Sequence, residues 1–515
     1  MIKLSDYIFQ QVAKYGVRHV FMLAGGGAMH LVDSLGRNKD LTYICNLHEQ
    51  CATIAAEAYS QYTGNLGVAL VTSGPGGTNA ITGVAAAWLD STPMLVISGQ
   101  VKRSDMNIGK HVRQFGYQEL NIVDIVKPIT KYAFTVMDPD SIRYHIEKAI
   151  HLAKFGRPGP VWLDIPLDVQ SSMVDESRLK GFTDLTSPPD TYLSKQVFST
   201  AALLEKAEKP VILAGNGIRL AGARELFIRT VSELGIPVLL TWRAADLLPA
   251  THPLFCGRPG LIGQKGANET QDDADLIICI GARLDMGQTS YSHDKFAPNA
   301  HRVVVDIDQN EIDKMRCRID IPIVCDAGDF LYELLKLGKR RDYSSWSLVC
   351  RERHILNPVS YPSVQPILDR LTPSDVLVLS SSGAASERVL QSINVPDGLR
   401  IINSPGLGSM GFAVPASIGA ALASNKHVVC IDGDGSFAMN IQELEVIDRL
   451  NLPIDIYVLM NDGYGSIKDT QTRHFESRYV GCSPSSGLTF PGLNGYNVHP
   501  VFLDSSEVTL RYANA

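Results

Sequence analysis

Short, β-rich apolar runs alternate with helical patterns along most of this chain, and that alternation restricts it to parallel sheets covered by helices. "GVALVTSGPGGTNAITGVAAAWLD", from Gly67 to Asp90, reads as strand, Gly-rich turn and Ala-rich helix. "PMLVISG" and "GPVWLDIP" add strands to the same unit, and "KPVILAGNG", "DLIICIGARLD" and "RVVVDIDQNEI" build a second. "DVLVLSSSG", "HVVCIDGDGS" and "IDIYVLMNDG" build a third. Two stretches of weak periodicity interrupt the pattern: "DESRLKGFTDLTSPPDTYLS", near residues 172 to 192, and "YSSWSLVCRERHILNPVSYP". Both read as linkers. The expectation is an α/β chain of three domains, at 1–172, 192–343 and 359–515, which suits 515 residues.

Charge and cysteine content exclude several classes. A formal charge of -7 leaves no basic footprint for nucleic acid. The nine cysteines are scattered, odd in number and never in CxxC spacing, which favours free thiols in a reducing compartment. "MIKLSDYIFQQ" has no apolar signal core and no apolar run reaches membrane-spanning length. A cytoplasmic protein without nucleic-acid or membrane partners is expected.

"GDGSFAMNIQELEVIDRLNLPIDIYVLMNDGYG", residues 433 to 465, carries the most chemistry. "MNIQELEVIDRL" reads as a helix with Ile441, Leu444, Ile447 and Leu450 on one face, between two buried strands. Ligands of open α/β sheets sit at the carboxyl ends of such strands. Gly433 and Gly435 let the backbone approach a phosphate, while Asp434, Asn461 and the Gly463 turn offer oxygens to a metal. Magnesium needs roughly six oxygens, so protein oxygens alone fall short. A diphosphate bound through a divalent cation would complete the set; two unrelated turns are the bland alternative.

Gly433-Asp434-Gly435 followed by 25 residues and Asn461 resembles the cofactor signature of thiamine-diphosphate-dependent enzymes. "NLHEQCATIAAEAYS", "VTSGPGGTNAITGVA", "GYQELNIVDIVKPITK", "GRPGPVWLDIPLDVQ", "DLIICIGARLD", "VVVDIDQNEI" and "SPGLGSMGFAVPASIGAAL" resemble the blocks of its acetolactate-synthase-like branch, in that branch's order. The resemblance implies pyrimidine-binding, central FAD or nucleotide-type, and diphosphate-binding domains. It implies thiamine diphosphate, Mg2+ and FAD as cofactors, and a homodimer or homotetramer with its site at a subunit interface.

The resemblance also implies roles. Glu49 matches the acid that hydrogen-bonds the aminopyrimidine, and a carboxylate at a helix start could otherwise serve only the helix dipole. Gln118 matches a Gln near the reacting intermediate. The Gly408 carbonyl matches the acceptor of the pyrimidine amino group, and Met410 the residue that bends the cofactor. Gly383 and Ser436 are expected on the diphosphate. Arg157, Gly215, Gly217, Gly281, Arg283, Asp306 and Asp308 match FAD contacts, although a Gly-rich loop after a strand is equally a bare turn.

The implied activity is decarboxylation of a 2-oxo acid such as pyruvate, with ligation of the acyl unit to a carbonyl acceptor. Some positions depart from the branch. Met286 and Gly287 stand where an Arg is expected to hold the second 2-oxo acid, and "NDGYGSIKDTQTRHF" lacks the usual Trp. Ala24 and His30 in "LAGGGAMHLVDSLGR" resemble variants that transfer acetyl to a nucleotide-linked keto sugar. "GLNGYNVHPVFLDSSEVTLRYANA" departs from the branch's ending and reads as a shortened third domain. A keto-sugar acetyltransferase and a non-catalytic nucleotide-binding homologue are thus the alternatives.

Overall fold

The computed structural model describes residues 1–184, 193–337, 341–489 and 497–503. Its sheets are parallel and flanked by helices, as the alternation requires. The chain folds as two compact units: residues 1–186, 376–383 and 402–500 form one, and residues 187–375, 384–401 and 501–515 the other.

The first unit holds two sheets. One has six strands, in the order Thr42–Cys45, His19–Met22, Gly67–Val71, Met94–Gln100, Pro160–Pro166, Tyr132–Thr135. Gly67–Val71, Met94–Gln100 and Pro160–Pro166 are buried along their whole length; the first reads as an unbroken apolar run, and in the other two Ser98 and Gln100 both hydrogen-bond Asp164. The other sheet has Val376–Leu379, Val428–Gly433 and Ile454–Met460 at its centre, all parallel. The strand Val498–Phe502 lies at its edge; most of the unusual ending falls outside the described residues.

One helix joins these sheets. Glu49–Thr63 is rich in Ala and buried on nearly every side. A Cβ on Gly67 would lie 2.1 Å from the Ala56 carbonyl, one on Gly83 2.3 Å from Thr53 Oγ1, and one on Gly419 2.0 Å from the Ala55 carbonyl. Gly419 belongs to the helix Ala413–Ser424, which packs on the second sheet of this unit. Small side chains let backbones approach until packing holds the sheets in register.

The second unit has five parallel strands in the order Val238–Leu240, Pro210–Ala214, Leu276–Ile280, His301–Asp306, Ile321–Val324. Asp246 is buried there between Arg219 (2.7 Å) and Arg400 (2.6 Å). Burial alone would raise its pKa; the two guanidinium groups instead hold it at about 2.

Two expectations change. The stretch read as a second linker is the helix Ser344–Leu356, whose Trp346 and Cys350 enter the second unit's core. Its period is hidden because Leu348, Val349, Ile355 and Leu356 are apolar yet exposed, off that narrow buried stripe. The first linker is partly structured: Met173–Val174 pairs antiparallel with Ile2–Lys3, and Leu179 is buried, while 185–192 fall outside the described residues. All nine cysteines are free thiols. No described helix is long and apolar enough to cross a membrane.

Gly419→Ala should overpack the joining helix and cost roughly 1–3 kcal/mol, read as a lower Tm; an unchanged Tm contradicts the packing. Asp246 titrates below its unfolded value, so its contribution is present above about pH 4 and is lost as pH falls toward 2. Asp246→Asn should cost about 3–5 kcal/mol near neutral pH in denaturant melts and flatten that acid limb.

Candidate active site

At the carboxyl edge of the second sheet of the first unit, Leu379 lies beside Ile431, and Gly433 beside Leu459. The loops that follow therefore emerge side by side. Asp434 is buried. Its Oδ2 accepts from the backbone N–H groups of Asn461 (3.0 Å) and Gly463 (3.2 Å), and its Oδ1 from Gly435 (2.7 Å). Burial raises its pKa against those hydrogen bonds, and burial pushes neighbouring Asp432 up to about 7.

Asn461 completes the arrangement. Its side-chain amide lies against Asp434 Oδ1 and the Gly463 carbonyl, with its NH2 donating to them at 2.6 and 2.5 Å. A carboxylate, a backbone carbonyl and an amide that can turn its oxygen to the same point make a hard donor set of the kind magnesium takes. Gly463 reaches this position with φ +122°, and a Cβ there would strike the Cys482 carbonyl. The residues present fit a magnesium ion. Gly433 has open space where a Cβ would be, as an approaching phosphate needs.

Around this loop the predicted residues are ordered by the protein. Ser436 accepts from Gly411 N–H at 2.9 Å, so its hydroxyl ties the 408–411 turn to the metal loop. The Gly408 carbonyl already accepts from Ser382 Oγ at 2.9 Å and keeps a second lone pair; Gly408 has φ +67° and Gly383 φ +82°. Met410, in the same turn, is half-buried. The expected continuous helix after Gly435 is broken. A short helix Asp434–Phe437 gives way to a 3-10 turn Ala438–Glu443, then to the helix Leu444–Arg449. Asn440 breaks it, because its amide leaves the helical pattern to donate to the Gly411 carbonyl at 2.6 Å.

Glu49 opens the joining helix, 5% exposed, with its Oε2 accepting from Asn79 Nδ2 at 3.0 Å. His48 caps that helix by accepting from Gln50 N–H. Gln118 has φ +61° and lies against the Gly74 turn, where a Cβ would sit 2.9 Å from its carbonyl. Gln100 holds the loop just beyond it, donating to the Leu120 carbonyl (2.8 Å) and to Asp164 (3.2 Å). Burial raises Asp164 to about 6.

Motif reading passed over Asn79, Ser382, Asn440 and Glu443. A lone Asn in "GGTNAITG" and a buried acid in "NIQEL" were the available signals, each outweighed by the helical pattern around it.

The residues expected on FAD are divided. Arg157 is in the first unit and donates to Ser91 Oγ at 2.9 Å. The others are in the second. Gly215 and Gly217 pack on Gly281, where a Cβ on Gly215 would meet the Gly281 carbonyl at 2.1 Å. Asp308 caps the helix Gln309–Asp313, and Lys314 donates to the Arg283 carbonyl. Loop-to-loop packing accounts for these glycines and helix capping for Asp308, so neither speaks for a flavin. Met286 is exposed, and the helix Gly465–His474 after the metal loop buries none of its residues. His30, in the helix Met29–Arg37, is lowered in pKa by burial.

Family models describe the same three parts. The thiamine pyrophosphate enzyme N-terminal TPP-binding domain matches residues 2–125, the central domain 198–334 and the C-terminal TPP-binding domain 382–500. The acetolactate synthase large subunit of Lactococcus lactis subsp. lactis is 34% identical over 92% of this chain and 83% of its own. That of Corynebacterium glutamicum is 35% identical over 89% and 75%, and the isozyme 3 large subunit of Escherichia coli 33% identical over 93% and 86%. The chain belongs to the thiamine pyrophosphate enzyme family. Within it, the chain is of the acetolactate synthase branch, and its cofactors are thiamine diphosphate and Mg2+. The sequence expectation of an α/β enzyme of this family stands.

In a thiamine pyrophosphate enzyme with this donor set, Asp434→Ala should abolish magnesium-dependent binding of thiamine diphosphate in calorimetric titration. Equal affinity in the variant contradicts the assignment.

Proposed function

We propose that the chain decarboxylates pyruvate and joins the acetyl unit to the carbonyl of a second 2-oxo acid. The observation that carries this reading is the meeting of the Asp434 carboxylate, the Asn461 amide and the Gly463 carbonyl in a chain so similar to acetolactate synthase large subunits. Nothing in the structure favours keto-sugar transfer or a non-catalytic role.

Asp434, Asn461 and the Gly463 carbonyl would hold the metal, with the open face of Gly433 and the Gly383 turn toward the diphosphate. When bound, thiamine diphosphate supplies the electron sink that stabilises the carbanion left by loss of carbon dioxide. Glu49 holds a proton at its carboxyl group, oriented by Asn79, for exchange with the cofactor's pyrimidine. The Gly408 carbonyl would accept from the pyrimidine amino group through its remaining lone pair, and Met410 would hold the cofactor bent. Gln118, fixed in a left-handed conformation, contacts the substrate. Burial of Glu49 and Asp434 keeps water from competing for these contacts.

Met286 and Gly287 put no charge where the branch's Arg would hold the acceptor carboxylate, so the acceptor should bind weakly, with a high KM. Assembly as a homodimer or homotetramer in the cytoplasm, and domains at 1–172, 192–343 and 359–515, belong to the same proposal.

With pyruvate as sole substrate, carbon dioxide should be released only when thiamine diphosphate and Mg2+ are both present, and acetolactate should accumulate. Release without acetolactate removes the acceptor reading; no release removes pyruvate. Glu49→Gln should retain the cofactor and lose most turnover.

A further inference from the structure

The buried carboxylate of Glu443 has a job that the metal and cofactor assignments leave unexplained. It is fully buried, at the end of the 3-10 turn that follows the metal loop. Rather than meeting a cation, it reaches the turn before Glu49. Oε2 accepts from Asn46 Nδ2 at 2.8 Å and Oε1 from Leu47 N–H at 2.8 Å. The His48 backbone N–H and the Cys51 thiol also lie near this carboxylate and favour its charged form against burial. Every one of these donors comes from the turn or first helical residues flanking Glu49. A buried charge is tolerated only when saturated in this way. Its neighbours follow the same course: Gln442 donates to Cys51 Sγ, and Arg449 Nη2 to the Cys45 carbonyl at 2.7 Å.

The break at Asn440 makes this reach possible. A continuous helix would carry position 443 along the apolar stripe; the 3-10 turn swings it to the N-terminus of the neighbouring helix. Eight residues of chain thus separate Asp434, at the metal, from the carboxylate that fixes the start of the Glu49 helix.

We propose that Glu443 is a positioning residue: it anchors the Asn46–His48 turn to the metal-loop segment and so sets where the Glu49 carboxyl stands. The proposal rests on the functional reading above for Glu49 but not for the clamp itself. A displacement of Glu49 by about 1 Å would cost on the order of 10²-fold in rate.

The test uses the full chain with Glu443→Ala and Glu443→Gln. Amide hydrogen exchange across residues 45–52, thiamine diphosphate titration with Mg2+, and pyruvate-dependent carbon dioxide release are measured together. In Glu443→Ala the 45–52 peptide should exchange at least about tenfold faster, as expected for a locally opened segment. Its kcat should fall on the order of 10²-fold while half-saturation by the cofactor stays within a few-fold. Glu443→Gln keeps an oxygen for Leu47 N–H and can donate to Asn46 Oδ1, which has no partner among the described residues, so it should recover most of both. Unchanged exchange at 45–52, wild-type kcat in Glu443→Ala, or a Gln variant as impaired as Ala would each overturn the proposal. Absence of carbon dioxide release by the wild type would count against the functional reading instead, and the exchange result would still decide the clamp.

Discussion

Everything in the first unit depends on how closely the helix Glu49–Thr63 is gripped. Its neighbours come so near that Gly67, Gly83 and Gly419 cannot carry a side chain without striking its backbone or Thr53. Dispersion and apolar burial both scale with such intimacy, and a small residue is the means of reaching it. The consequence is functional. The helix that presents Glu49 is locked to the helix Ala413–Ser424, which lies on the sheet that presents Asp434.

Polar contacts then refine what packing makes coarse. Ser436 ties the Gly408–Gly411 turn to the metal loop, Asn440 ties the same turn to the segment after that loop, and Glu443 ties that segment to the turn before Glu49. Each uses a buried group with defined partners, so each is worth more than a surface contact and costs more to break. Thus a loop that binds metal, a turn that meets the pyrimidine and a helix that carries an acid share one hydrogen-bonded frame.

Much of this was legible in the sequence. Strand and helix alternation implied parallel sheets because fully buried strands leave unbroken apolar runs, as in Gly67–Val71. Asp434 and Asn461 were legible because adjacent parallel strands bring their ends together, and the structure places Gly433 beside Leu459. The helix Ser344–Leu356 was not, since Leu348, Val349, Ile355 and Leu356 are exposed and blur the period set by buried Trp346 and Cys350. Nor was the break at Asn440, which depends on a carbonyl at Gly411 far away in the chain. Glycines at 215, 217 and 281 resemble nucleotide loops, and their own packing also requires them, so the motif has two physical sources. Side chains whose partners are distant in sequence, such as Glu443 and Asn46, are the ones that pattern reading cannot supply.

The account's central claim is that the Glu49 carboxyl acts on a cofactor held by the metal loop. Exchange of the thiazolium proton of bound thiamine diphosphate with deuterium, followed by rapid acid quench and proton NMR, tests it without reference to any acceptor. Wild-type protein with Mg2+ should accelerate this exchange by orders of magnitude over free cofactor, and Glu49→Gln should bind the cofactor yet lose the acceleration. Exchange at the wild-type rate in cofactor-saturated Glu49→Gln would contradict the account.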